Sequence, residues 1–120
     1  MSTTIKSVLE QANAEVAKGN NEGFLAHCTE DIRWTTVGES TLQGKQAVRE
    51  WMKHAYATPP QFNVERMVAE DDVVIALGTI EGEGKDGKRT TFAYSDVWHL
   101  RDGKLASLDA FVIEQKATGD

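Results

Sequence analysis

The apolar pattern changes period at Pro59-Pro60, and that change limits the folds open to this chain more than any other feature. Before the prolines apolar residues recur at helical spacing, and after them alternation with period two takes over. From Ile5 to Val16 the stripe is Ile5, Val8, Leu9, Ala12 and Val16, with Ser and Thr ahead as cap candidates and Gly19 as a stop. Asn20 or Asn21 caps a second, short helix carrying Phe24, Leu25 and Cys28, which the polar run Thr29-Glu30-Asp31 is expected to end. Ile32 to Val37 is a short β-prone run. Gly44 to Ala57 then places Val48, Trp51, Met52 and Ala55 on one helical stripe, which the prolines terminate.

Beyond the prolines, Gln61 to Glu70, Val73 to Ile80, Lys88 to Leu100 and Leu105 to Glu114 read as four strands rich in Val, Ile, Phe, Tyr and Thr. Asp86-Gly87 and Asp102-Gly103 fall where tight hairpins need residues tolerant of positive φ, so three of the strands form a meander. The fold class is therefore α+β. No repeat, linker or shift in composition divides the chain, and residues 1–120 are expected to form one domain.

Composition excludes several function classes. Nineteen acidic against thirteen basic residues give a formal charge of -6, which repels nucleic acid and anionic lipid. Cys28 is the only cysteine, so an intramolecular disulfide is impossible and a cytoplasmic setting is the expectation. The start lacks the apolar core of an export signal, and no window approaches the roughly 18 apolar residues of a membrane span. Metal-ligand spacings, a glycine-rich phosphate loop and a nucleophile elbow are absent from the sequence, so neither metal nor cofactor is expected.

The strand from Lys88 to Leu100 is the most informative. Its alternation puts Thr90, Phe92, Tyr94, Asp96 and Trp98 on one face, and Thr91, Ala93, Ser95, Val97 and His99 on the other. If the first face turns inward, Asp96 loses water, its pKa rises, and a neutral Asp96 can donate a hydrogen bond. The alternative is a solvated or structurally satisfied Asp96. Trp34 and Thr36 alternate on the earlier short strand and reach the same cavity if that strand joins the sheet, although Trp34 can equally be plain core. His27 and His54, near the ends of the second and third helices, are candidates for the pocket rim.

The residues Ala17-Lys18-Gly19-Asn20, His27-Cys28-Thr29-Glu30-Asp31-Ile32-Arg33-Trp34, Leu42-Gln43-Gly44-Lys45 and Ser95 through Leu105 together resemble the NTF2-like superfamily, in its SnoaL-like and ketosteroid-isomerase-like branch. The resemblance runs from about Ile5 to Glu114. It implies a cone in which three N-terminal helices pack against a curved antiparallel sheet around an apolar pocket, with homodimers through the outer sheet face. Val97, Ala93, Phe111 and Ile113 would supply that face. Members include isomerases, cyclases, epoxide hydrolases and dehydratases. Ketosteroid isomerases pair a carboxylate base with a tyrosine and a protonated aspartate. Asp96 matches the protonated aspartate, whereas Thr36 stands at the base position and Ala12 at the tyrosine position.

The resulting expectation is a pocket for a small apolar or aromatic, carbonyl-bearing molecule. Asp96 and Tyr94 are its candidate catalytic residues, and Trp34, Thr36, His54, Phe92, Trp98 and His27 its lining. Isomerase, cyclase or dehydratase-type proton transfer fits, because one tuned acid in a dry cavity suffices. The rival is a non-catalytic ligand-binding or dimerisation module with a structural Asp96.

Overall fold

A computed structural model describes residues 2–84 and 86–115; the ends of the expected domain, Met1 and 116–120, lie outside the described residues. The element order is α1 (Ser2–Ala17), α2 (Asn21–Leu25), β1 (Cys28–Thr36), β2 (Ser40–Gln43), α3 (Lys45–Ala55), β3 (Gln61–Glu70), β4 (Val73–Glu83), β5 (Arg89–Arg101) and β6 (Lys104–Glu114). The expected helices and the four later strands are all present. Helix α1 starts at Ser2, so the Ser and Thr expected ahead of it belong to its first turn.

One local expectation fails. Thr29-Glu30-Asp31 does not end a helix: α2 stops at Leu25, and the three residues lie in β1 where its register against β6 shifts between Cys28 and Arg33. A polar triplet in a bulged stretch, with Glu30 and Asp31 facing water, carries the same composition as a helix end. Leu42 and Gln43 run into α3 through Gly44, and they also form part of β2, a four-residue edge strand paired antiparallel to β1.

The sheet order is β2-β1-β6-β5-β4-β3, and its pairings are antiparallel except that β1 runs parallel to β6. The β5–β6 turn uses Asp102 and Gly103 at φ of 54° and 77°, the pair of positive dihedrals a two-residue hairpin needs. Register shifts in β3, in β1 and between β5 and β6 bend the strands. The sheet therefore curls around the helices without closing.

Inside the curl, Leu9, Ala12 and Val16 of α1, Phe24 and Leu25 of α2, and Val48 and Met52 of α3 pack on Ile32, Val74, Trp98, Leu105 and Leu108 of the sheet. Among the described residues no polar or charged residue is fully buried in this core. Cys28 sits in it, and burial pushes its thiol up to about 12, so it is an inert packing residue.

Candidate functional site

Strand register lays out the concave face as rows of neighbouring side chains. At the closed end Val74, Trp98, Leu108 and Trp34 lie side by side on β4, β5, β6 and β1, all buried. The next row is Met67, Ala76, Asp96, Ala110 and Thr36. The third is Val64, Gly78, Tyr94 and Val112, and the fourth Phe62, Ile80, Phe92 and Glu114. Asp96 thus has an alanine on either side and an aromatic ring above and below it on its own strand. Small neighbours stand beside the carboxylate and rings above and below it.

Helix α3 packs against β1 and β2 beside this face. Trp51 packs tilted at 5.2 Å from Trp34 and Tyr56 edge to face at 5.1 Å from Trp51, while Trp34, Trp98 and Phe24 pack edge to face at 5.8 to 6.1 Å. The rings extend from the closed core to the open face. Towards the mouth the cover thins: Phe92 is half-buried, and Val112, although on the concave face, is 39% exposed. Gly78 makes a close approach possible, because a Cβ there would lie 2.0 Å from the Asn63 carbonyl oxygen and 3.0 Å from the Tyr94 hydroxyl.

Burial pushes the Asp96 carboxyl up to about 7, and no hydrogen bond or charge from the described residues offsets it. Burial also lifts the Tyr94 phenol to about 12, with the charges of Asp96 and Glu65 adding to the rise. Tyr56 is held above the usual tyrosine range by burial first, then by Asp96 and Tyr94. At neutral pH the site therefore presents two phenol O–H groups and one carboxyl close to half-protonated. Such a set can donate hydrogen bonds to a carbonyl oxygen and can take up or release one proton.

The structure brings Asp96, Tyr94, Phe92, Trp98, Trp34 and Thr36 onto one face. Thr36 lies two strands from Asp96, about 10 Å away at ordinary strand spacing. His27 and His54 are not brought to them. His27 occupies the turn before β1, where its carbonyl accepts from the Leu105 amide at the closed end, and His54 is exposed on α3. Tyr56 and Trp51 are the site residues that sequence reasoning missed. The signal was present, since Tyr56 extends the Val48–Met52 stripe by one more i,i+4 step.

Two open depressions border or oppose this face. One, of about 380 Å³, lies between α1 and the β3 bulge and is lined by Glu10, Asn13, Val64, Glu65, Arg66 and Met67, so it abuts the Asp96 row at Met67. The other, of about 340 Å³, is on the convex face among Arg33, Thr35, His99, Ser107, Leu108 and Asp109. Among the described residues no group of three or more His, Cys, Asp or Glu could hold a metal ion. No helix there is long and apolar enough to cross a membrane.

Residues 9–108 match the family model of the SnoaL-like domain. None of the curated proteins matches the sequence. Among solved structures, the chain is similar to SalBIII, an epoxide hydrolase/cyclase-like enzyme of pyran ring formation in the polyether salinomycin, with TM-score 0.82, 20% identity, and 92% of this chain and 91% of that one covered. It is similar to an LEH-like epoxide hydrolase of M. tuberculosis at TM-score 0.81 and 15% identity, over 92% of this chain and 84% of that one. An NTF2-like protein of unknown function from Burkholderia pseudomallei aligns at TM-score 0.80 and 16% identity, over 89% and 88%. At these identities the solved structures establish a shared NTF2-like fold.

Proposed function

Starting from a chain that belongs to the SnoaL-like domain family, we propose that it binds a small apolar or aromatic, carbonyl-bearing molecule on the concave face and moves a proton on it. The observation that carries this reading is Asp96, partly buried between two alanines and two aromatic rings with burial as the sole influence on its titration. A carboxyl balanced near neutrality is available both as base and as acid. It can take a proton from carbon next to a carbonyl and return it elsewhere, which is the core of isomerase, cyclase and dehydratase chemistry. Tyr56 and Tyr94, which remain protonated, are placed to donate to the carbonyl oxygen as negative charge gathers there.

A second reading has its own support. Thr36 fills the one other polar position in the Asp96 row, so no second carboxylate shares the work, and a non-catalytic binding module would look the same. Proton exchange separates the two. With 2-acetonaphthone in D₂O, the wild type should speed loss of the methyl proton signal, and Asp96→Asn should lower that rate about a hundredfold, as removal of a general base does. Binding without exchange would leave the module; neither binding nor exchange would remove the site altogether.

The convex face belongs to the same proposal. Val68, Phe111 and Ile113 are 40%, 45% and 69% exposed there, next to Ile75, Leu77, Ala93 and Val97. We assign this face to a second copy of the chain, and the protein to the cytoplasm, where a lone thiol such as Cys28 stays reduced.

A further inference from the structure

Every residue on the inward rows of the sheet is apolar, uncharged polar or acidic. Lys, Arg and His are absent from the four rows that contain Asp96, Tyr94, Trp98 and Phe92. Five cations of the described residues are held in ion pairs elsewhere: Lys18 pairs with Glu15, Lys45 with Glu30, Arg49 with Glu22, Lys53 with Glu50 and Arg101 with Asp31. Arg33 is paired in register with Ser107 on the convex side, and Arg66, next to the β3 bulge, is exposed and lines the depression between α1 and β3, outside the four rows. The fields that do reach the site are negative. Asp96 acts on both tyrosines, Glu65 at the β3 bulge acts on Tyr94, and no cation of the described residues acts on any of the three. At the mouth Glu114 stands beside Phe92 on the concave face, with its carboxylate against Gly84.

We infer that the site selects its ligand by charge, accepting ketones, esters and other uncharged carbonyl compounds and rejecting the corresponding carboxylates and phosphates. This rests on the carbonyl-binding reading above and narrows it to a substrate class. The selection is a matter of what surrounds the ligand. An anion seated beside Asp96 gives up water, meets no cation of the described residues in return, and lies within several ångströms of a carboxylate. Two like charges about 6 Å apart at an effective dielectric of roughly 20 weaken binding by about a hundredfold, and solvent at the open mouth reduces this to about tenfold.

The groups facing Asp96 are Tyr94 on its own strand, Tyr56 from the end of α3 and Glu65 across the sheet by way of Tyr94; its neighbours on β4 and β6 are alanines. Protonating Asp96 therefore removes the nearest negative charge, and lowering the pH should relax the rejection.

Calorimetric titration of the full chain with 2-acetonaphthone, methyl 2-naphthoate and sodium 2-naphthoate tests the inference, since the three probes share one ring system. At pH 8 the ketone and the ester should bind alike and the carboxylate at least about tenfold more weakly. That gap should narrow at pH 5.5, where 2-naphthoate is still ionised, and also at pH 8 in Asp96→Asn. Naphthoate binding as tightly as the ester at pH 8, or a gap indifferent to both pH and the substitution, overturns the charge selection while leaving carbonyl binding intact. Failure of the ketone and ester to bind overturns the underlying reading, and the inference with it.

Discussion

Replacing Asp96 by asparagine should stabilise the protein at alkaline pH, which is the reverse of what removing a native polar group usually does. The carboxyl titrates at 3.8 in a solvated chain and at about 7 in the fold. Between those values the unfolded chain has lost the proton that the native carboxyl keeps. Native stability is therefore full at the acid end, falls as pH rises through the window, and levels off once the folded group has ionised. At about 1.36 kcal/mol per pH unit the whole fall is roughly 4 kcal/mol. Asp96 keeps part of its surface exposed on the open face, so water entering beside the ionised group should reduce this to about 2–3 kcal/mol. Asparagine has nearly the shape of the protonated acid and no charge to bury. Thermal unfolding of both proteins from pH 4.5 to 8.5 reads the difference directly. The two should differ little at pH 4.5, and Asp96→Asn should melt about 6–15 °C higher at pH 8, taking roughly 3–5 °C per kcal/mol for a chain of this size. Melting curves that move in parallel with pH, leaving a constant difference, would show that Asp96 is solvated in the native state and would refute the reasoning.

Gly78→Ala should cost about 2–4 kcal/mol in urea unfolding, because its Cβ would lie 2.0 Å from the Asn63 carbonyl oxygen and β3 must move away from β4 to admit it; unchanged stability would mean that the sheet is not bent so tightly there. In sedimentation at micromolar concentration the wild type should run as a dimer and Phe111→Glu with Ile113→Glu as a folded monomer, and a wild type that stays monomeric would end the assignment of the convex face.

Much of the site could be read in the sequence because β5 is long. Thirteen residues of alternation fix which side chains share a face, and burial of Trp98 and Leu100 then decides which face is inside. Asp96, Tyr94 and Trp98 follow from that alone. Thr36 and Trp34 followed conditionally, since a strand of uncertain partner has a known alternation but no known address. Its address is beside β6 and parallel to it, a pairing between distant segments that leaves no local trace. Strand β2 was missed because Ser40–Gln43 offers one apolar residue, Leu42, too few to show a period. Tyr56 was missed for a different reason. It lies inside the segment expected as the third helix, Gly44 to Ala57, and nothing local shows that the end of α3 comes within reach of Asp96.

The parallel contact between β1 and β6 also dictates when the sheet can be finished. Trp34 and Leu108 are neighbours in space although about 74 positions apart along the chain. Their meeting requires closing a loop that holds most of the protein, the slow kind of step in folding. As the chain leaves the ribosome, β1 and its hairpin partner β2 must wait with one edge open while α3 and the meander form behind them. Strand β6, made after the other described strands, is the one that shuts the seam, so β1 is among the latest to be protected although it emerges before them.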